Sequence, residues 1–344
     1  MKKCYTFSDV CLVPQYSDIE SRLEPDLGTW LTKTRKMSIP ILAANMDSVI
    51  SDDLADILIK NGSIPIFHRF TTQEQKIKWL QKYGGENIAI STGLVENNND
   101  GELYELIVEY GARLICIDIA HGHGKRMMKM IEELKAGFQH DNTFEIIAGN
   151  ICTPNAYIDL VQAGADCCKI GVGPGSCCLT RIVTGHGVSQ FTAIQECAEE
   201  AKKYRVPIIG DGGITGSADM VKALAAGASS VMIGKLFALT EESAAEKKGS
   251  PCSGQRHIAK YRGQASEDFQ NDFYGGLKNN TVAEGDSFWA PISGSAQNLI
   301  NTLLGGCRSG MTYGGARDLK ELVRKATFRI TTDSYAKEAG TRPE

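Results

Sequence analysis

Val206-Pro-Ile-Ile-Gly-Asp-Gly-Gly-Ile-Thr-Gly-Ser-Ala-Asp-Met-Val-Lys-Ala-Leu-Ala-Ala-Gly-Ala-Ser-Ser-Val-Met-Ile-Gly234 reads as strand, turn, helix and strand in under thirty residues. Its apolar runs, 206–210 and 229–234, are short and continuous rather than alternating, as expected of parallel strands buried on both faces. Between them, 217–226 reads as a helix that runs into Gly227-Ala228, where glycine ends a helix by adopting the left-handed conformation. The same unit recurs outward along the chain. Strands are expected at 39–45, 63–68, 87–91, 113–120, 144–150 and 166–171. Helices are expected at 52–60, with Leu54, Leu58 and Ile59 on one face, at 124–138, with Met127, Met130, Ile131 and Leu134, and at 193–203. Gly111-Ala112 and Gly164-Ala165 mark further helix ends. Eight such β-then-α units argue for a closed parallel (β/α)8 TIM barrel over an open sheet.

The chain has 344 residues, 42% hydrophobic and 23% charged, an ordinary soluble globular composition. Length alone would allow two domains, but barrels of this size form one, so a single domain over 1–344 is expected. Residues 1–38 precede the first strand and are expected to cap the barrel bottom or reach a neighbouring subunit. Residues from about 245 to 292 follow the eighth strand and carry scattered aromatics: Tyr261, Phe269, Phe273, Tyr274, Phe288 and Trp289. A structureless stretch of that length reads as a mobile active-site lid, the alternative being a disordered insertion.

A net charge of −4 offers no footprint for nucleic acid or an anionic membrane, and no run approaches the length of a membrane span. The first residues, MKKCYTFSDV, are basic but lead into no apolar run. Eleven cysteines, an odd number without framework spacing, read as reduced thiols of a cytoplasmic protein. The adjacent pairs Cys167-Cys168 and Cys177-Cys178 match no zinc spacing. His121 and His123 read as packing and hydrogen-bonding groups around Asp118 rather than as metal ligands. His186 receives no assignment.

In such barrels the active site forms at the carboxyl ends of the strands, with phosphate commonly held after strands seven and eight. Here those ends are Gly210-Asp211-Gly212-Gly213 and Gly234-Lys235, whose bare N–H groups before a helix make an anion nest. Flavin enzymes share this feature, and glycines also serve tight turns. Strand six ends in Gly171-Val-Gly-Pro-Gly-Ser-Cys-Cys-Leu-Thr-Arg181. Its glycines and proline impose an irregular loop that can turn several carbonyls towards a monovalent cation and lift a cysteine into the barrel mouth. A thiol attacks only as thiolate, and Thr180, two residues past Cys178, offers a hydroxyl to relay the proton.

Over nearly its full length the chain resembles the family of inosine-monophosphate dehydrogenase and GMP reductase. The resemblance is carried by Ala44-Asn-Met-Asp-Ser48, Ile117-Asp-Ile-Ala-His-Gly-His123, Ala148-Gly-Asn150, the loop from Gly171 to Arg181, Asp211-Gly-Gly213, Val231-Met-Ile-Gly234 and Glu284-Gly285. It implies that Cys178 forms a thio-adduct at purine C2, with Thr180 and Glu284 moving the protons. It implies substrate contacts from Ser48, Ser176, Asp211, Gly212, Gly213, Gly234, Lys235, Ala265, Ser266 and Gly285. Arg69, Asp118, Ile119, Ala120, Val172 and Gly173 would meet the cofactor, NADPH. Ser21, Arg22, Ser309 and Thr312 would also serve it; Ser21 and Arg22 match positions that reach a neighbouring subunit's cofactor in a homotetramer. Gly173, Gly175 and Cys178 would give carbonyls to a potassium ion.

Two reactions share this scaffold. The dehydrogenase oxidises IMP with NAD and hydrolyses the adduct, using an Arg-Tyr pair about twelve residues before the lid glutamate to activate water. Here that region reads Asp272-Phe273-Tyr274-Gly275, and no arginine lies between Arg262 and Glu284. The CBS modules that dehydrogenases usually carry are absent, Tyr83-Gly-Gly-Glu-Asn87 joining the second helix directly to the third strand. Phe67-His-Arg-Phe70 and residues 303–316 lean the same way. The expectation is therefore NADPH-dependent reductive deamination of GMP to IMP and ammonia. A dehydrogenase without CBS modules is the alternative, and a flavin-dependent barrel oxidase or a non-catalytic nucleotide binder ranks below it. Two positions depart from the reductase pattern. Thr281 or its neighbours stand where an arginine is common, and Arg69 replaces a lysine, keeping charge but not its point-like geometry.

Overall fold

The computed structural model describes residues 1–94, 101–250 and 256–338. Eight strands form the barrel: β1 (Ile41–Ala43), β2 (Ile66–Phe67), β3 (Ala89–Thr92), β4 (Leu114–Asp118), β5 (Glu145–Ile151), β6 (Cys167–Ile170), β7 (Ile208–Asp211) and β8 (Ser230–Ile233). They pair in the order β1-β8-β7-β6-β5-β4-β3-β2, and every rung is parallel. Between β1 and β2 there is no ladder; instead the Ser63 hydroxyl donates to the Ile41 carbonyl at 2.6 Å. All but β5, which is shifted by one residue, are shorter than the apolar runs that mark them. Pro65 and Pro207 are the reason at two places: neither can donate to a ladder, and each strand begins one residue later.

The α-helices of the described residues are α1 (Asp52–Lys60), α2 (Gln73–Tyr83), α3 (Gly101–Val108), α4 (Lys125–Gly137), α5 (Pro154–Ala163), α6 (Thr180–Thr184), α7 (Gln190–Tyr204), α8 (Ser217–Ala225), α9 (Lys235–Ala238), α10 (Glu267–Tyr274), α11 (Ala296–Tyr313), α12 (Leu319–Lys325) and α13 (Asp333–Glu338). Helix α5 ends on Gly164 at φ +117°, and Gly227, just beyond α8, sits at φ +111°, the left-handed geometry that a side chain resists. Helix α11 packs between α8 and α1 and closes the outer ring. Leu54, Ile131, Leu160, Ile194 and Leu224 are buried between helices and sheet.

Residues 29–37 seal the amino ends of the strands. The Thr29 hydroxyl donates to the Ser229 carbonyl at 2.6 Å, and Arg35 pairs at 3.0 Å with the buried Glu145, which also accepts from Thr32. Strand Val10–Leu12 pairs antiparallel with Phe328–Ile330 near the two ends of the chain.

The segment expected to be structureless contains regular elements. Strands β9 (Lys247–Lys248), β10 (Ile258–Arg262) and β11 (Ser287–Pro291) make an antiparallel sheet, and α10 lies between the last two; residues 251–255 fall outside the description. In β10 only Ala259 and Tyr261 are buried, while Ile258, Lys260 and Arg262 are half-exposed. A one-sided strand shows period-two alternation, and a search for continuous apolar runs passes over it.

Candidate active site

At the carboxyl ends of the strands lies a cavity of about 630 Å³. Its floor is built from Asp118, Asn150, Lys169, Gly171 and Asp211, its wall from the loop after β6, and its roof from residues 261–285.

The loop after β6 presents two adjacent cysteines to different surroundings. Cys177 is 3% exposed, points towards the Tyr261 carbonyl at 3.7 Å, and burial pushes its thiol up to about 12. Cys178 lines the cavity, and its thiol donates to the Thr180 hydroxyl at 3.2 Å. The Cys178 N–H donates to the Gly175 carbonyl at 3.0 Å, which curls the loop so that the sulfur stands in the mouth. Gly212, at φ +89°, permits the β7 loop to touch this one: a Cβ there would lie 3.0 Å from Pro174. Arg181 closes the loop from within, donating to the carbonyls of Val172 at 3.2 Å and Val188 at 2.6 Å.

The roof is stitched to the same loop by backbone. Leu179 N–H donates to the Glu284 carbonyl at 2.7 Å, Asp286 N–H to the Cys177 carbonyl at 2.9 Å, and Cys178 faces Gly285 in an antiparallel bridge. Gly285 allows that approach, since a Cβ would meet the Ser266 nitrogen at 2.8 Å. Glu284 therefore sits beside the residue that separates Cys178 from Thr180.

Beneath, Lys169 is 2% exposed and pairs at 2.8 Å with both Asp118 and Asp211. Burial opposes its charge, but those two carboxylates hold the ammonium above the ordinary lysine value. Asn150 joins the group, accepting from Lys169 and donating to Asp211 at 2.9 Å and to the Gly171 carbonyl at 2.7 Å.

Of the residues singled out in the sequence, Cys178, Thr180, Glu284, Asp211, Gly212, Gly234, Ala265, Gly285, Arg69, Asp118, Ile119, Ala120, Val172, Gly173 and Gly175 line the cavity together. Gly213 adjoins it without lining it, and Ser176 and Lys235 are exposed, Lys235 resting 5.3 Å from the Phe288 ring. Ser48 is buried and donates to the Arg262 carbonyl, and Ser266 caps α10. Ser21 and Arg22 are exposed in the N-terminal segment, while Ser309 and Thr312 lie on α11; none of the four lines the cavity. His123 pairs with Asp159 at 2.7 Å, and His186 meets the Thr184 carbonyl at 2.8 Å. Among the described residues no cluster of His, Cys, Asp and Glu could hold a metal. Tyr261, one of the aromatics of the expected lid, lines the cavity too, as do Lys169, Gln264 and Lys278, which were not anticipated. For Lys169 a signal existed: a lysine in the middle of an otherwise apolar strand.

The domain family described as IMP dehydrogenase / GMP reductase matches residues 4–342. GMP reductase of Vibrio atlanticus is 36% identical, over 94% of this chain and 93% of that one. Inosine-5'-monophosphate dehydrogenase of Cryptosporidium parvum is 34% identical, over 98% of this chain and 94% of that one. Among solved structures, a cysteine-to-alanine variant of GMP reductase from Trypanosoma brucei in complex with guanosine 5'-monophosphate superposes with a TM-score of 0.91 at 25% identity, covering 100% of this chain and 98% of that one. Likeness to both kinds of enzyme at nearly equal identity leaves the choice of reaction to the site itself.

Proposed function

The chain belongs to the IMP dehydrogenase / GMP reductase family of oxidoreductases, and from that premise we propose that it catalyses the NADPH-dependent reductive deamination of GMP to IMP and ammonia. The observation that carries this reading is the roof. It seats Glu284 against the cysteine loop, and between Arg262 and Glu284 it brings no arginine to activate water at the adduct.

Cys178 adds through sulfur to C2 of the purine, its proton passing to the Thr180 hydroxyl 3.2 Å away. Glu284 takes that proton from Thr180 and returns it to the 2-amino group, which leaves as ammonia when the C2–N bond breaks. A positioned acid contributes roughly 10²–10⁴-fold to such a departure. NADPH, held beside Asp118 to Ala120, would supply the hydride for C2; Cys178 then leaves as the S–C2 bond breaks and its thiolate is restored. The roof excludes the water that would turn the adduct into XMP.

Ser48, Ser176, Asp211, Gly212, Gly213, Gly234, Lys235, Ala265, Ser266 and Gly285 are assigned to the nucleotide. Arg69, Asp118, Ile119, Ala120, Val172 and Gly173 are assigned to the cofactor. The fit favours this: the cavity reaches continuously from Cys178 to Asp118–Ala120, and Arg69 Nε is buried there without a partner. Ser21, Arg22, Ser309 and Thr312 stand outside the cavity, as they would if they met the far end of a neighbour's cofactor in a homotetramer. Gly173, Gly175 and Cys178 would hold potassium by their carbonyls; the Gly175 carbonyl accepts one hydrogen bond and keeps a second lone pair for an ion. The roof over 245–292 would be the lid. The ten cysteines among the described residues are free thiols, which suits the cytoplasm.

The decisive test is one assay run in both directions. NADPH should be oxidised with GMP, with IMP as product. Formation of XMP from IMP and NAD would instead establish the dehydrogenase, and bound flavin absorbance in the purified protein would point to neither.

A further inference from the structure

The buried bridge under the cavity has a geometry that neutralising two carboxylates does not require. Asp118 ends β4, on the side assigned to the cofactor, and Asp211 ends β7, on the side assigned to the nucleotide. Lys169 rises from β6 and reaches both at 2.8 Å. Asn150, on β5, adds a second tie on the Asp211 side only, accepting from Lys169 and donating to Asp211 at 2.9 Å. Gly149 makes the room: a Cβ there would lie 2.6 Å from Lys169 Cβ. A buried ammonium is costly unless its geometry is satisfied, so neither carboxylate can swing towards a ligand without drawing on the lysine that holds the other.

We propose that Lys169 is a positioning residue that couples the two halves of the site, so that a ligand bound on Asp118 prepares Asp211 for the other ligand, and the reverse. The first ligand fixes the carboxylate–ammonium–carboxylate bridge, and the second finds it already ordered. Coupling between sites is reciprocal and commonly amounts to about 5- to 150-fold in affinity. The proposal rests on the reading above for the names of the two ligands and for which carboxylate each one meets.

The test is calorimetric titration of the full-length protein with IMP, with and without saturating NADP⁺, a pair that cannot turn over without ammonia. In the wild type IMP should bind at least about fivefold more tightly with NADP⁺ present. In Lys169→Met the ratio should fall to within about twofold of one, and Lys169→Arg should restore it. If Lys169→Met does not melt cooperatively, Lys169→Gln is measured in its place. A wild-type ratio of one overturns the proposal. So does a folded variant that binds both ligands more weakly but keeps the wild-type ratio, because that is what a purely structural lysine would do. If the enzyme proves to be a dehydrogenase, the function assigned above fails, and the same titration with XMP and NAD⁺ still decides the coupling.

Discussion

Two neighbouring thiols, Cys177 and Cys178, meet opposite surroundings, the first packed in the core and the second lining the cavity. The loop turns the two side chains to opposite sides, so that one sulfur is sealed under the roof while the next faces Thr180. Cys178→Ala should abolish NADPH oxidation, whereas Cys177→Ala should retain it and lose only stability, on the order of 1 kcal/mol. Steady-state assays beside thermal melts separate the two. Thr180→Val should lower kcat by roughly 10²–10⁴-fold with little change in nucleotide affinity, as removal of a proton relay would. His68, at the end of β2, carries a different prediction. Burial lowers its imidazole from 6.5 to about 4, against a smaller opposing pull from Asp47. The unfolded chain therefore binds this proton at a higher pH than the folded one. Stability from the neutral ring is complete above about 6.5 and declines as the pH falls towards 4, by about 3 kcal/mol in all. Melting curves of His68→Phe should show a flatter acid limb over that window; an unchanged slope would refute the assignment. The sequence marked Cys178 by its spacing to Thr180, but that Cys177 is the sealed thiol is seen only in the fold.

At the scale of elements, the roof is held down by one arginine and a knot of rings. Arg262 at the end of β10 pairs with Asp47 after β1 at 2.5 Å and also with Asp272 on α10. Phe70, beyond β2, meets Phe269 at 4.5 Å and Phe273 at 5.6 Å, both on α10. These contacts join the roof elements to the barrel away from Cys178. Arg262→Gln should therefore lower kcat/KM by roughly 10- to 100-fold, with Asp47 left without its cation and the roof loosened. Hydrogen exchange should show faster opening of 264–274 and unchanged barrel strands. The sequence announced a long segment here, with Gly, Asn and aromatics, but its sheet was not legible. A two-residue strand such as Lys247–Lys248 has no periodicity to read, and β10 hides its pattern behind alternating lysine and arginine.

For the whole molecule, the cavity of a single chain does not include Ser21, Arg22, Ser309 or Thr312. If a neighbouring subunit supplies them, Arg22→Ala should raise KM for NADPH about tenfold while leaving that for GMP near the wild-type value, since arginine beside an adenosine ribose recognises its 2′-phosphate. Sedimentation of the wild type should give a tetramer, and equal effects on both KM values would argue against the assignment. What the sequence alone determined is the barrel and the loop that carries Cys178 into its mouth. The repeated β-then-α unit admits few other closed arrangements, and the glycine-bounded Cys178-x-Thr180 loop is a chemical feature written in consecutive residues. What only the tertiary structure decided is which distant groups meet: Glu284 against Leu179, Arg262 on Asp47, and Lys169 between Asp118 and Asp211. Those contacts span strands far apart in the chain, and their distances follow from barrel closure and side-chain packing, which local propensity does not encode.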